Sequence, residues 1–112
     1  MDVTVEPRGA ATVVRLVGSV DGITAGPLEA RLLEQVQGGA VKLVGDLAGV
    51  AYTSSAGLRA LLATLKATRS QGGDFRLAGV QPAVLKVLEL SGFTSILKHY
   101  PDVDAAVQSF GS

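Results

Sequence analysis

The chain has 112 residues, of which 47% are hydrophobic and 18% charged, so one folded core is expected and disorder is not. Ten lysines and arginines balance ten aspartates and glutamates, which argues against nucleic-acid binding and against electrostatic membrane binding. Cysteine is absent, which excludes disulfides, a thiolate nucleophile and cysteine-ligated metals. Neither a membrane-spanning run of roughly 18 apolar residues nor a signal pattern is visible, so we expect a cytoplasmic protein.

The first third of the chain predicts an antiparallel hairpin followed by a helix. Residues 3–7 alternate apolar and polar side chains, as in a half-buried strand, and a short glycine-containing connection leads to a second strand over 11–18. The following helix is expected to have Pro27 in its first turn and to end at Gly38-Gly39. Leu28, Leu32 and Val36 fall on one face of this helix, with Leu33 beside them.

Strands and helices alternate from there to the end of the chain. Residues 41–47 form a β-rich run with little alternation, typical of a strand buried on both faces of a parallel sheet. The later predicted elements are helix 55–71 ended by Gly72-Gly73, strand 74–80, helix 82–90, a short strand 95–100 and helix 103–110 capped by Asp102. This order predicts a single α/β domain over 1–112, with a mixed four- to five-stranded sheet and about four helices.

Signatures of catalysis and of metal binding are scarce. His99 is the only histidine and has no partner motif, so we interpret it as a surface or hydrogen-bonded residue. The chain has no G-x-S-x-G elbow, phosphate-binding loop or metal-ligand cluster. Gly18, Gly22 and Gly26 are typical of turns, in which Asp21 is expected to bond its own backbone. We therefore expect that the protein is not an enzyme and that it binds no cofactor or metal. A small hydrolase or nucleotide-binding enzyme is the least favoured alternative.

Residues 52–58, YTSSAGL, place three adjacent hydroxyls at the predicted start of a helix, although one hydroxyl is enough to cap it. Ser54 is expected to be the N-cap, which leaves Ser55 without an obvious structural task. Both serines follow a central strand, at the carboxyl edge where open α/β sheets bind ligands and partners. The residues alone leave two readings open: Ser55 is a tolerated neighbour of the cap, or it carries chemistry.

The start of this helix would accept a phosphate on Ser55. Unpaired backbone N–H groups and the positive end of the helix dipole both favour an anion there. Ala56 and Gly57 are small and are expected to leave the surroundings of Ser55 uncrowded. Gly57 also costs about 1 kcal/mol of helix stability relative to alanine, which suggests close approach by another group.

The sequence resembles STAS-domain proteins, specifically the bacterial anti-sigma factor antagonists, also called anti-anti-sigma factors. The resemblance covers nearly the whole chain and implies the STAS fold. It rests on the order and spacing of several motifs: the opening hairpin, Gly18 with Asp21, Asp46-Leu47-x-Gly49-Val50, Ser54-Ser55-Ala56-Gly57-Leu58, Gly72-Gly73, Leu88-Glu89-Leu90-Ser91-Gly92-Phe93, Tyr100-Pro101 and Asp104-Ala105-Ala106.

The resemblance implies partner switching in the regulation of transcription. The dephosphorylated antagonist binds an anti-sigma factor that is also a serine kinase, phosphorylation of one serine at the start of the second helix dissociates the complex, and a serine phosphatase resets it. Alignment on Gly57-Leu58 makes Ser55 the modified residue, with Ser54 the second choice. The implied protein is a monomer that forms heterocomplexes. The expected partner-binding residues are Asp21, Thr53, Ser54, Ser55, Ala56, Gly57 and Arg59.

The chain departs from the commonest family motif, Asp-Ser-Ser-Gly-Leu, at two positions. Ser54 stands where the aspartate is usual, and Ala56 stands where the second serine is usual. The first change removes a fixed negative charge beside the target hydroxyl, and the second leaves Ser55 without a hydroxyl rival directly after it. The alternative function is therefore a STAS scaffold, or a ligand-sensing subunit of another signalling or transport complex, that is not phosphorylated.

Overall fold

A five-stranded mixed sheet runs through the computed structural model, which describes residues 1–111. The strands lie side by side in chain order: β1 (Asp2–Arg8), β2 (Ala11–Val17), β3 (Lys42–Gly49), β4 (Asp74–Ala78) and β5 (His99–Tyr100). The first two strands pair antiparallel, and every later neighbour is parallel. The mixed sheet with an opening antiparallel hairpin is thereby confirmed.

Four α-helices and one 3-10 turn complete the described chain. They are α1 (Ala25–Gln37), α2 (Ser55–Ser70), α3 (Pro82–Leu90), the 3-10 turn Phe93–Ser95 and α4 (Val103–Ser109). The first three helices bury their apolar faces on one side of the sheet, and α4 covers the other side through a smaller cluster around Ala106. This two-sided arrangement is the one that a parallel sheet requires.

The central strand β3 has a helix layer on each side, as its lack of alternation predicted. Leu43 and Leu47 belong to the core under α1, α2 and α3, whereas Val44 belongs to the cluster under α4. Gly45 lies between Leu43 and Leu47 on the same face of the strand, and a Cβ there would lie only 3.0 Å from the Phe75 ring. Because β3 is packed on both faces, its carboxyl end gives the segment that leads into α2 a fixed position.

Two strand predictions need correction. The strand expected over 95–100 is limited to His99–Tyr100, because the amides of Ile96 and Leu97 both donate to the Phe93 carbonyl and close a 3-10 turn. The strand over 3–7 is present but is more exposed than half-buried, since β1 is an edge strand and Val5 is 36% exposed. Neither change alters the order of the elements.

Asp74 holds the start of β4 between two arginines. Its Oδ1 accepts Arg69 Nε–H at 3.1 Å and the Phe75 amide at 3.0 Å, and its Oδ2 accepts Arg76 Nε–H at 3.0 Å. Arg69 also donates to the Ile96 carbonyl at 2.7 Å, so the cluster ties α2 to the segment before β5. Burial raises the pKa of Asp74, but the bonds from Arg76 and Arg69 outweigh it and hold the pKa below its ordinary value.

We expect Asp74→Asn to lower the free energy of unfolding by about 2 kcal/mol near pH 7, because charge-assisted hydrogen bonds are lost. The folded-state pKa lies below the unfolded value of about 3.9, so the carboxylate contributes stability above about pH 4. That contribution disappears as pH falls through the folded-state pKa. Urea unfolding of both proteins at several pH values measures the difference, and a difference that does not shrink in acid would contradict this role of the charge.

Candidate functional site

The candidate site lies where the chain leaves β3 at the carboxyl edge of the sheet and enters α2. Ser54 is the N-cap, with extended backbone angles, and its Oγ accepts the Gly57 amide at 3.3 Å. This confirms the sequence prediction for Ser54. Ser55 is the first residue of α2, and its side chain is exposed. Among residues 1–111 the Ser55 hydroxyl makes no hydrogen bond, unlike the hydroxyls of Thr53 and Ser54 beside it.

Loop 19–24, which joins β2 to α1, runs beside the start of α2. Val20 and Thr53 form an isolated parallel β-bridge. The Val20 amide donates to the Tyr52 carbonyl at 3.0 Å, and the Ser54 amide donates to the Val20 carbonyl at 2.8 Å. These bonds fix loop 19–24 against the cap of α2, so the two segments form one continuous surface.

Asp21 braces loop 19–24 from inside, as the sequence predicted. Its Oδ1 accepts the amides of Ile23 and Thr24, each at 2.9 Å, while the Thr24 hydroxyl accepts the Asp21 amide at 2.9 Å. The Thr24 amide, followed by the Ile23 amide, holds the pKa of Asp21 below its ordinary value, because both bonds favour the carboxylate. Asp21 therefore stays ionised at neutral pH and holds the turn of loop 19–24 through these two bonds.

Gly57 is packed against this loop, which corrects one expectation. A Cβ at Gly57 would lie 2.3 Å from Thr53 Oγ1 and 2.7 Å from Val20 Cγ1. The close approach that the sequence suggested therefore comes from the chain itself. Gly57 does not leave the helix start uncrowded, and Ala56 is half-buried against the core. The small residues let loop 19–24 and α2 touch.

The predicted partner-binding residues come together but differ in exposure. The structure exposes Ser55 and Arg59, half-buries Asp21, Ser54 and Ala56, and buries Thr53 and Gly57. The buried pair can only position the others. Two exposed apolar side chains that the sequence reasoning missed flank the same surface: Ile23, 85% exposed, and Tyr52, 54% exposed. Neither residue belongs to a periodic segment, so the hydrophobic pattern does not predict its exposure. The only signal of exposure was that each stands next to turn residues.

The sequence reasoning also considered a lone histidine, a metal site and a membrane-spanning helix. His99 is exposed on β5, as its interpretation as a surface residue predicted. Within residues 1–111, no three histidine or acidic side chains gather as metal ligands. No helix in that part of the chain combines the length and apolar character needed to cross a membrane.

Comparison with known proteins identifies the family. The family model described as STAS domain matches residues 2–106. The chain belongs to the STAS domain family. BtrV of Bordetella bronchiseptica, which carries the name anti-sigma factor antagonist, is 36% identical to this STAS domain over 110 residues, covering 98% of the chain and 95% of BtrV.

Solved structures agree with the fold of this STAS domain. An anti-sigma factor antagonist from Mycobacterium paratuberculosis superimposes with a TM-score of 0.91 at 28% identity, covering 99% of this chain and 94% of the other. The Bacillus cell fate determinant SpoIIAA, solved in a phosphorylated form, superimposes with a TM-score of 0.73 at 18% identity. The match covers 96% of this chain and 99% of SpoIIAA. The latter likeness concerns the fold alone. The STAS fold implied by the sequence is thus confirmed.

Proposed function

We propose that this STAS domain is an anti-sigma factor antagonist that binds its partner while Ser55 is unmodified and releases it when Ser55 is phosphorylated. One observation carries the assignment to Ser55: it is an exposed hydroxyl at the first residue of α2, free of any hydrogen bond among residues 1–111. The anti-sigma factor antagonists among its relatives and structural neighbours support the functional class.

The surface around Ser55 suits a protein partner. Exposed Ile23 and Tyr52 offer apolar contacts, and Arg59 offers a cation beside them. Aromatic side chains and arginine are enriched where protein interfaces gain most of their affinity. Loop 19–24 and the cap of α2 are already hydrogen-bonded to each other, so this surface needs little ordering when it binds.

Phosphorylation would switch this surface without unfolding it. The Ser55 Oγ forms a bond to the γ-phosphorus of ATP, the bond from that phosphorus to the bridging oxygen breaks, ADP leaves, and the hydroxyl proton passes to a base of the kinase. The product adds about −1.5 to −2 charges at a helix N-terminus, where anions are favoured, but in the middle of the docking surface, where they oppose contact. Ser54 is the weaker candidate because its Oγ is engaged as the cap.

The remaining expectations follow from this proposal. The partner is an anti-sigma factor that is itself a serine kinase, and a serine phosphatase restores the unmodified state. The domain acts as a regulatory binding protein without catalytic residues of its own. We infer a cytoplasmic monomer that forms heterocomplexes and a single domain over 1–112, of which Ser112 lies outside the described residues.

The proposal is tested by modification with defined kinases. The purified domain is incubated with ATP and with anti-sigma factor serine kinases from the same organism, and the products are mapped by mass spectrometry. We expect one phosphate, on Ser55, that is absent from Ser55→Ala. Ser54→Asp is the matched variant, since aspartate also caps helices and restores the usual family residue. An unmodified Ser55 in both the wild type and Ser54→Asp would favour the scaffold or ligand-sensing alternative.

Asp21 offers a second test at the other side of the surface. Asp21→Ala should weaken partner binding about tenfold, because it frees the Ile23 and Thr24 amides and loosens loop 19–24. Asp21→Asn is the control, since the amide oxygen still accepts those bonds while the charge is gone. The anti-sigma factor that copurifies with the wild-type domain is titrated against both variants. An equal loss of affinity in both would show that Asp21 acts through its charge and does not act as a brace.

A further inference from the structure

Arg59 lies one helical turn after Ser55 on the exposed side of α2. Side chains four residues apart on a helix are neighbours, with Cβ atoms about 5–6 Å apart. Long helical side chains also lean toward the helix N-terminus and cover the preceding turn. The Arg59 guanidinium therefore lies within reach of any group attached to the Ser55 oxygen.

Arg59 has no anionic partner within the described chain. The four ion pairs among residues 1–111 use other arginines. Helix α2 contains no aspartate or glutamate, so Arg59 has no carboxylate three or four positions away. At those spacings its neighbours are Ser55, Ala56, Leu62 and Ala63. Ser55 is the only polar one. No ion pair among residues 1–111 joins Arg59 to the Asp21 carboxylate, whose Oδ1 accepts amides of its own loop.

The spacing also separates the two candidate serines. The residue four positions after Ser54 is Leu58, which is buried in the core. A phosphate on Ser54 would have no such cation and would displace the bond from its Oγ to the Gly57 amide. The Gly57 and Leu58 amides bond to Ser54 atoms, which leaves the Ser55 and Ala56 amides available to a phosphate on Ser55.

We propose that Arg59 is the intramolecular ligand of the phosphate on Ser55, closing a charge clamp over the first turn of α2. This rests on the proposed phosphorylation of Ser55 and adds a second element to the switch. In the unmodified protein Arg59 is exposed and available to a partner, and in the phosphorylated protein its guanidinium pairs with the phosphate. Modification would thus both add negative charge to the docking surface and remove its cation.

The test uses the whole domain with phosphoserine installed at position 55 by genetic encoding, so that no kinase is needed. The readout is the second acid dissociation constant of the phosphate, measured by phosphorus NMR titration. Arg59→Gln should lower this constant about two- to fivefold, because the dianion loses its paired cation. Arg59→Lys, which keeps the charge, should recover part of the change.

Lys66→Gln is the matched control. Lys66 is exposed on the same helix, but it stands eleven residues from Ser55, roughly 16 Å along the axis and beyond the range of screened charges. We expect it to leave the dissociation constant unchanged. A change below twofold in Arg59→Gln, or an equal change in Lys66→Gln, would overturn the clamp. Failure here leaves the proposed function standing, whereas that function fails separately if no kinase modifies Ser55.

Discussion

Ser55→Asp should weaken binding to the anti-sigma factor by about 30- to 1000-fold, which corresponds to about 2–4 kcal/mol. The added carboxylate must be desolvated within the interface, and it would repel any acidic group of the partner that faces it. Its place at the first residue of α2 is favourable for the helix itself, since an anion there interacts with the positive end of the dipole. The loss of affinity should therefore come without loss of the fold.

The matched variants are Ser55→Ala and Ser55→Asn, both neutral. Ser55→Ala should bind like the wild type, because no hydrogen bond among residues 1–111 uses the Ser55 hydroxyl. Ser55→Asn has the size of the aspartate without its charge, so it separates charge from bulk. Calorimetric titration against the anti-sigma factor that copurifies with Ser55→Ala gives the affinities, and thermal unfolding checks the fold. Equal binding by the Asp and Ala variants would remove Ser55 from the switch.

Gly73→Ala should destabilise the domain by about 3 kcal/mol or more, although it lies far from the proposed interface. A Cβ at Gly73 would lie 1.9 Å from the Val41 carbonyl oxygen and 2.5 Å from its carbon. That carbonyl accepts the Asp74 amide at 2.9 Å, so relief of the clash breaks a bond at the start of β4. The clashing atoms are the backbone and the Cβ of Val41, which no change of side-chain rotamer can move aside.

Gly22→Ala is the control for this prediction. Nothing lies within 4 Å of the position of its Cβ, and its backbone is not in the left-handed region. Urea unfolding should therefore give Gly22→Ala a stability close to that of the wild type. If Gly73→Ala unfolds at the same urea concentration as Gly22→Ala, the packing described for the start of β4 is wrong.

The sequence predicted the elements whose signals are local. The leucine stripe of α2, the unalternating run of β3 and the cap at Ser54 each depend on residues within a few positions of one another, and the structure confirms them. The Gly72-Gly73 pair was assigned correctly to the helix end, but its two residues differ. Gly72 has a left-handed φ of 82°, whereas Gly73 is needed for space against Val41.

What the sequence could not predict depends on distant contacts. Gly57 suggested close approach by another group without showing which one. That group is Val20 with Thr53, and the bridge between these two joins residues 33 positions apart in the chain. The exposure of Ile23 and Tyr52 likewise follows from how two loops meet. The location of the candidate site at the carboxyl edge was predictable, because that follows from element order alone.

The switch at Ser55 is tested by comparing the domain carrying phosphoserine at position 55 with the unmodified domain in binding to the copurified anti-sigma factor. We expect the phosphorylated form to bind at least about 30-fold more weakly, and treatment with a serine phosphatase to restore the affinity. Thermal unfolding of both forms should show that each remains folded. Equal affinity of the two forms would contradict the switch at Ser55.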